Sequence, residues 1–335
     1  MRKMKNRYDV VIVGAGPGGL ACAEELKNSA LTVLLLEKNS IVGPKICAGG
    51  LTRLDADFDL PKSREFKTQH IFFNGKEHQI KLAYPLKTIS RTDLGQYQLE
   101  KLKNVNNIDV YTDNRVLEIK SNSIITQNGK INFKYLVGAD GSNSLVRKSL
   151  KLSSTQNMGL YYNLDFVSDK FEWYVNTKDW GSAYLWVFPH LKYTNIGFHF
   201  NPKFISGSEA KKILDNFLVK NNYSFKKENL KSAPLNYDYQ AYAFGTVFLV
   251  GDAAGLVSKA TGEGIAMALT SGKEIARKIL DPKYTTPELK SIIKIVRRHT
   301  KMINHFDKHP RLQSSFFYLF LKMMKSQHFQ SYFGN

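Results

Sequence analysis

The sequence has little cysteine and no long apolar run. Its 335 residues include only Cys22 and Cys47, too few for a disulfide framework, and their sequence contexts do not suggest a pair. A reducing, cytoplasmic compartment is therefore expected. The densest apolar run near the C-terminus, residues 316–321, is followed by Lys322 and is too short to span a bilayer. The basic N-terminus leads into a strand-like run, so no signal peptide is expected.

Acidic residues are also scarce. The chain has 48 lysines and arginines against 29 aspartates and glutamates, a formal net charge of +19. Such an excess favours an anionic partner: a phospholipid surface, a phosphorylated substrate, an acidic electron carrier or nucleic acid. No zinc-finger or RNP-type motif accompanies the charge, so we predict no nucleic-acid partner. Hydrophobic residues make up 43% of the chain, enough for a folded core.

The N-terminal region has the pattern of a βαβ unit. Apolar runs at residues 10–13 and 31–36 flank a helix-forming segment that opens with three glycines at G-x-G-x-x-G spacing: Gly14, Gly16 and Gly19. In such a unit the glycines allow a tight turn, close approach of a pyrophosphate and close packing of the helix. Glu37 ends the second run, where a carboxylate can bind ribose hydroxyls. A ligand-free turn would explain the glycines but not Glu37, so we predict a dinucleotide site.

A second glycine-rich segment lies at residues 251–272. Asp252 follows an apolar strand-like run, where its carboxylate can bind a polyhydroxyl linker such as the ribityl chain of FAD. Gly262 and Gly264 then open a helix, whose N-terminus would favour the negative charge of a reduced flavin. A plain glycine-rich turn would not explain the position of Asp252. The pattern therefore favours a flavin contact.

The remaining pattern predicts a mixed α/β chain in which a Rossmann-like FAD-binding domain is interleaved with a β-sheet substrate domain. Alternation around Asn74 and Gly75 predicts a hairpin over residues 68–82. A helix is predicted over residues 91–102, and a second helix around residues 210–218 with Ser208 as its N-terminal cap. The predicted boundaries are residues 1–60, 88–155 and 236–283 for FAD binding, 61–87 and 156–235 for the substrate domain, and 284–335 for C-terminal helices. The apolar segment at residues 312–324 fits three roles: cover of a tunnel mouth, membrane contact, or core helix.

Five motifs in this order resemble those of FAD-dependent enzymes of the p-hydroxybenzoate hydroxylase fold, and most closely the geranylgeranyl reductase family. They are GAGPGG with Glu37, KICAGGL at residues 45–51, GADGSNSLVR at 138–147, YLWVFP at 184–189 followed by NIG, and GDAAG with GEGI at 251–265. Members of that family reduce isolated C=C bonds of polyprenyl lipids by hydride transfer from reduced flavin. The resemblance implies the same reaction and FAD as cofactor, with electrons from NAD(P)H or ferredoxin, since no second G-x-G-x-x-G is present.

The resemblance also implies roles for individual residues. The expected FAD-binding residues are Gly14, Gly16, Gly19, Glu37, Cys47, Ala48, Gly50, Arg91, Val116, Asp140, Asp252, Gly264 and Ile265. The aromatic side chains expected to line the substrate tunnel are Tyr184, Trp186 and Phe188, with ordinary sheet core as the alternative. Cys47 is the expected proton donor, or else a small residue needed only for shape. His305 and His309 have no evident third ligand, so no metal site is predicted.

Four residues depart from the family pattern, and other functions stay open. The departures are Ala48 after the cysteine, His190 after the F-P pair, His199 after N-I-G, and Lys259 before T-G-E-G. They leave FAD binding credible and the exact prenyl substrate open. One alternative is a flavin-dependent monooxygenase or halogenase of the same fold; a second is a non-catalytic, lipid-binding flavoprotein. For the reductase, the charge fits a peripheral position at the cytoplasmic membrane face or an acidic electron carrier.

Overall fold

A computed structural model of the chain describes residues 4–51 and 60–333, with the backbone alone for 331–333. The parts of the predicted domains that fall on residues 1–3, 52–59 and 334–335 lie outside the described residues. The first of its two sheets has eight strands, in the order β15-β16-β9-β1-β2-β6 with the β7–β8 hairpin attached to β9. These strands are β1 Arg7–Val13, β2 Val33–Leu36, β6 Ile108–Tyr111, β7 Val116–Ile119, β8 Ser123–Thr126, β9 Gly129–Gly138, β15 Ala243–Phe244 and β16 Val247–Leu249.

The centre of the first sheet is parallel, with β1 paired to β2 on one side and to β9 on the other. Strands covered on both faces need apolar residues at successive positions, and VVIV in β1 and VLLL in β2 meet that need. β16 joins this sheet next to β9 although it lies more than 100 residues further along the chain. Both glycine-rich motifs therefore follow neighbouring parts of one sheet.

The second sheet also has eight strands, in the order β14-β10-β13-β12-β11-β4-β5-β3. It is antiparallel except between β4 and β11. Its strands are β3 Gly50–Leu51, β4 Arg64–Phe73, β5 Lys76–Thr88, β10 Gln156–Leu164, β11 Phe171–Val175, β12 Tyr184–Pro189, β13 Thr194–Phe200 and β14 Lys231–Asn236. The two sheets thus take their strands alternately along the chain, which confirms the interleaved fold class; the domain boundaries stay predictions.

The described helices cover the first sheet and pack on both sides of the second, with α4 on one side and the C-terminal helices on the other. They are α1 Pro17–Leu26, α2 Arg91–Glu100, α3 Leu145–Ser149, α4 Gly207–Lys220, α5 Gly251–Ala254, α6 Ile265–Leu280, α7 Pro287–Lys308, α8 Pro310–Met323 and α9 Gln327–Phe333. A Cβ added to Gly272 in α6 would lie 2.1 Å from the carbonyl oxygen of Gly18 in α1, so this glycine lets the two helices of the glycine-rich motifs pack directly together. None of the helices described is long and apolar enough to cross a membrane.

Local predictions were right in type and less accurate at boundaries. Asn74 and Gly75, both at positive φ, join β4 to β5 as predicted. The helix predicted over residues 91–102 ends at Glu100. Ser208 was wrong as the cap of α4: the cap is Ser206, whose hydroxyl accepts a hydrogen bond from the backbone N–H of Glu209 at 3.2 Å. Both serines stand just before the apolar pattern, so spacing could not separate them.

Candidate functional site

The first glycine-rich loop is shaped for close approach of a ligand. Gly14 has φ +102°, and a Cβ there would lie 2.5 Å from the carbonyl oxygen of Ala139. At Gly19 a Cβ would lie 2.0 Å from the carbonyl oxygen of Gly14. At Gly16, by contrast, the nearest described atom to a Cβ is 3.8 Å away. The fold itself therefore requires glycine at positions 14 and 19, whereas the space at Gly16 is left open.

Glu37 is held beside this loop by backbone donors. Its carboxylate accepts hydrogen bonds from the N–H groups of Ala15 and Asn39, both at 3.0 Å. The carboxylate therefore lies next to the N-terminus of α1 at the end of β2. This is the position that the sequence pattern predicts for a ribose-binding acid.

The two helices that start at the predicted FAD motifs, α1 and α6, have no side-chain cap, a property they share with α7 and α8. α1 follows Gly16 and α6 follows Gly264, and neither glycine can offer an oxygen. The helices α2, α3 and α4 each begin with a serine whose hydroxyl accepts a backbone hydrogen bond: Ser90, Ser144 and Ser206. Uncapped N-terminal N–H groups are suited to bind anionic groups.

A pocket of about 130 Å³ lies where the two motifs and the second sheet meet. It brings together ten of the predicted site residues: Cys47, Ala48, Gly50, Arg91, Tyr184, Trp186, Phe188, Asp252, Gly264 and Ile265. Arg91 adds a buried Nε that has no partner among the described residues. An unpaired guanidinium donor, two open helix N-termini and an uncrowded Gly16 together fit the negatively charged, hydrogen-bonding FAD molecule.

Asp252 in this pocket stays ionised because of two neighbours that sequence reasoning missed. Lys45 Nζ lies 2.8 Å from its carboxylate, and the Ser142 hydroxyl donates to it at 3.0 Å. Burial acts to raise the pKa of Asp252, but these interactions hold it below its ordinary value. Lys45 is in the KICAGGL motif, so its side chain links that loop to GDAAG.

The other predicted cofactor residues lie outside the lining of this pocket. Gly14 and Gly16 lie in the first glycine-rich loop, Gly19 follows in α1, and Glu37 lies beside the loop at the end of β2. Val116 is buried at the start of β7, in the core of the first sheet. Asp140 accepts hydrogen bonds from the backbone of Leu145 and Val146, at 2.6 and 3.3 Å, and so organises the start of α3. Burial raises the pKa of Asp140 despite these bonds.

Arg147 is a third residue that sequence reasoning missed. Its side chain is 2% exposed and donates to the carbonyl oxygens of Ala253 at 3.1 Å, Asp238 at 2.6 Å and Ser153 at 2.7 Å. It therefore joins the GADGSNSLVR motif to GDAAG. The arginine is visible in the sequence, but two of its three carbonyl acceptors, Ala253 and Asp238, lie 106 and 91 positions away.

The Cys47 loop is supported by a histidine. His190 Nε2 lies 2.9 Å from the carbonyl oxygen of Ala48, and its ring stacks on Tyr193 with centroids 4.4 Å apart. Gly49 has φ +72°, and a Cβ there would lie 2.7 Å from the His190 ring. Burial lowers the pKa of His190 to about 4, so the ring is neutral at pH 7. Cys47 itself is half-buried, and its Sγ accepts a hydrogen bond from the Gly49 N–H at 3.4 Å.

A larger cavity, of about 350 Å³, adjoins the first pocket. It lies between the second sheet and α7, α8 and α9, and its lining includes Ile71, Ile303, Phe316, Phe317 and Phe320. Five residues line both spaces and therefore form the wall between them: Leu86, Trp173, Tyr184, Thr261 and Glu263. Two residues of this wall are bonded to each other: the Tyr184 hydroxyl donates to the carbonyl oxygen of Thr261 at 2.6 Å.

The predicted tunnel aromatics divide between the two spaces. Tyr184 lines both, whereas Trp186 and Phe188 line the smaller pocket and not the larger cavity. Alternation along β12 puts the three on one face, while Leu185 and Val187 on the other face pack in the core beside α4. The aromatic residues of the larger cavity come mainly from the C-terminal helices.

The cysteines and the histidine pair add no further site. Cys22 is buried in α1, where burial raises its thiol pKa. The rings of His305 and His309 are 4.7 Å apart. Within residues 4–51 and 60–333, no group of three or more His, Cys, Asp or Glu side chains is arranged to hold a metal ion.

Comparisons with known proteins agree with this geometry. Residues 67–283 match the FAD binding domain family, and residues 12–48 match the NAD(P)-binding Rossmann-like domain. An uncharacterized protein of Methanosarcina barkeri is 32% identical over 79% of this chain and 73% of its own length. Digeranylgeranylglycerophospholipid reductase 1 of Methanococcoides burtonii is 27% identical over 80% of this chain and 73% of its own length.

Solved structures share the fold. A geranylgeranyl bacteriochlorophyll reductase-like protein from Thermoplasma acidophilum superposes with a TM-score of 0.81 at 23% identity, covering 96% of this chain and 92% of that one. The flavin-dependent brominase Bmp2 superposes with a TM-score of 0.70 at 15% identity, covering 98% of this chain and 93% of that one. At these identities the structures establish the fold alone.

Proposed function

The chain belongs to the FAD binding domain family as a flavoprotein of the geranylgeranyl reductase type, and we propose that it reduces isolated C=C bonds of a polyprenyl lipid. It is an FAD-dependent oxidoreductase. The observation that carries the proposal is the apolar cavity of about 350 Å³ beside the predicted flavin pocket. A prenyl chain is long and apolar, so it requires an apolar space that reaches the flavin.

An isolated alkene has no carbonyl to polarise, so position and exclusion of water must supply most of the catalysis. When bound, reduced FAD supplies the hydride. Gly14, Gly16 and Glu37 would hold its AMP half, and Asp252 its ribityl chain, with Gly264 at the ring. The wall between the two spaces, with Trp173 and Tyr184, would position the double bond and keep water out.

The second alkene carbon requires a proton. The Tyr184 hydroxyl proton is already donated to the Thr261 carbonyl oxygen. The Cys47 thiol lines the smaller pocket and accepts a hydrogen bond from Gly49, which leaves its own proton unused by that bond. We therefore keep Cys47 as the proposed proton donor.

The proposed reductant of the flavin is external, either NAD(P)H or an acidic ferredoxin. The proposed location of the protein is the cytoplasm, bound peripherally at a membrane. The net charge of +19 supports an anionic partner of either kind.

An anaerobic single turnover tests the reaction. The flavin is reduced with dithionite, a geranylgeranyl lipid in detergent is added, and flavin reoxidation is followed together with the mass of the lipid. The proposal predicts reoxidation with a gain of two hydrogens per reduced bond.

Two other results would replace the proposal. Reoxidation that instead requires oxygen and an aromatic compound, with modification of that compound, would identify a monooxygenase or halogenase. A flavin that no prenyl lipid reoxidises under either condition would identify a lipid-binding flavoprotein.

A further inference from the structure

The helix α8 has an apolar surface that is broader than the part that lines the larger cavity. On its inner face, Phe316, Phe317 and Phe320 line the larger cavity. On its outer face, three large apolar side chains are exposed: Leu312 (51%), Leu319 (54%) and Met323 (40%). Spacings of seven and four residues place these three in one stripe along the helix. A helix that only sealed the cavity would not require these exposed side chains.

Basic residues flank the stripe. Arg311, Lys322 and Lys325 are exposed on or just after α8, and Lys322 lies 4.8 Å from the ring centroid of the half-exposed Tyr318. The sequence contains no aspartate or glutamate from Lys308 to its end. The segment therefore combines exposed apolar and aromatic side chains with positive charge alone.

We propose that the outer face of α8 docks on the surface of an anionic phospholipid bilayer. An apolar stripe beside lysines and arginines is suited to lie in the headgroup region, where apolar burial and attraction to anionic lipids act together. Tyrosine is favoured at the same depth. The charge complementarity selects this occupant, because an apolar protein partner would gain nothing from a flank of unopposed cations.

The larger cavity reaches the protein surface at an edge of the second sheet that is bonded to the C-terminal helices. Tyr84 in β5 lines the cavity and is 40% exposed, so the cavity reaches the surface there. Gln330 in α9 connects the same edge to the C-terminal helices: it accepts from the Ala83 N–H at 2.7 Å and donates to the Lys81 carbonyl oxygen at 2.8 Å. A lipid could thus pass its chain inward from the membrane while its headgroup stays in the leaflet. The docking specifies the peripheral membrane position that the proposed function includes, and this last step also rests on the proposed reaction.

Sedimentation with vesicles tests the docking. The full-length flavoprotein is mixed with phosphatidylcholine vesicles, with and without phosphatidylglycerol, at low and high salt. We expect binding to the vesicles that contain phosphatidylglycerol, and weaker binding in high salt. Equal binding to both vesicle types would overturn the proposal, and so would absence of binding to either type.

Matched variants locate the contact. Leu319→Ser removes an exposed leucine from α8, and Leu117→Ser removes one of equal exposure (55%) from β7. Leu319→Ser should weaken vesicle binding at least about tenfold, since a buried leucine side chain contributes that much, and Leu117→Ser should not change it. Lys322→Gln should weaken binding about fivefold, and the exposed Lys220→Gln on α4 should have no effect. Equal binding by Leu319→Ser and wild type would contradict the assignment to α8.

Activity separates this proposal from the proposed function. Leu319 does not line the cavity, so Leu319→Ser should reduce detergent-solubilised prenyl lipid at the wild-type rate and vesicle-borne lipid more slowly. A wild-type protein that binds anionic vesicles through α8 but reduces no prenyl lipid would support the docking and refute the reductase. Loss of activity by Leu319→Ser in detergent would refute a purely membrane-facing role.

Discussion

The open space at Gly16 gives the sharpest prediction about the cofactor site. Gly16 has φ −75° and ψ 177°, a conformation that alanine adopts readily. The nearest described atom to an added Cβ is 3.8 Å away, so Gly16→Ala should fold. Its stability should stay within about 1 kcal/mol of wild type, because a slightly poorer N-cap residue is offset by a less flexible unfolded chain.

The same methyl group should damage FAD binding. It would enter the space through which a pyrophosphate approaches the first N–H groups of α1. A hydrogen bond to a charged group contributes about 1.5–3 kcal/mol, so loss of one such bond corresponds to about 10- to 150-fold weaker binding. The dissociation constant of FAD for the apoprotein, measured by flavin fluorescence quenching, should rise by this factor.

Gly19→Ala is the control for plain steric damage. Its Cβ would lie 2.0 Å from the Gly14 carbonyl oxygen, so backbone must move, at a cost of about 1–3 kcal/mol or more. Thermal denaturation of the apoprotein should therefore show a lower midpoint for Gly19→Ala and an almost unchanged one for Gly16→Ala. Gly16→Ala that bound FAD as tightly as wild type, or unfolded as early as Gly19→Ala, would show that the space at Gly16 does not receive the pyrophosphate.

Three further predictions concern buried ionisable groups and the thiol. Lys259 and Asp307 form a buried ion pair at 2.8 Å, with side chains 4% and 9% exposed. Lys259→Met should lower the free energy of unfolding in urea by about 3–5 kcal/mol, because Asp307 is left as an unpaired buried charge, and the double variant Lys259→Met/Asp307→Leu should lower it by less. A double variant as unstable as Lys259→Met would contradict this. Burial lowers the pKa to about 4 in three histidines: His190, His199 and His299. Below pH 6.5 the unfolded chain therefore binds more protons than the folded chain, so the free energy of unfolding should fall by about 2 kcal/mol per histidine from pH 7 to pH 5. A free energy of unfolding that stays constant over that range would show that these rings are not held neutral. Cys47→Ala should keep its FAD and slow lipid reduction in single turnovers by about 10²–10⁴-fold, the usual contribution of a general acid; an unchanged rate would remove Cys47 as proton donor.

The sequence was most informative where function depends on backbone. A dinucleotide loop requires glycine at fixed spacing and an acid at the end of the next strand, so the placement of Gly14, Gly16, Gly19 and Glu37 around one turn could be predicted from local pattern, while their contact with FAD stays a prediction. The alternation around Asn74 and Gly75 likewise predicted the hairpin of β4 and β5. These features depend on neighbours within one supersecondary unit.

The contacts that were missed join distant segments. Lys45 reaches Asp252 across 207 positions, and His190 reaches the Ala48 carbonyl across 142. Sequence spacing carries no information about such pairs, and each partner has an ordinary identity on its own. The family pattern marked His190 as a departure, but its contact with the Ala48 carbonyl oxygen depends on the backbone path of the Cys47 loop, which spacing does not give.

The larger cavity was the least predictable feature. One of its walls is the second sheet and the other is the C-terminal helices, so its volume depends on how two separately formed elements pack. The apolar pattern of residues 312–324 could not distinguish cavity lining, membrane contact and core packing for α8. The structure gives α8 both a cavity face and an exposed face.

Filling that cavity tests most directly the claim that it holds the prenyl chain beside the flavin. Ile303 is half-buried on α7 and lines the larger cavity but not the smaller pocket. Ile303→Trp should therefore bind FAD and be reduced by dithionite like wild type. The measurement is the rate of anaerobic flavin reoxidation by geranylgeranyl lipid in detergent. We predict a rate at least about tenfold lower, since a chain displaced from its near-attack position loses much of its catalysis; reoxidation at the wild-type rate, with the same reduced lipid, would contradict the account.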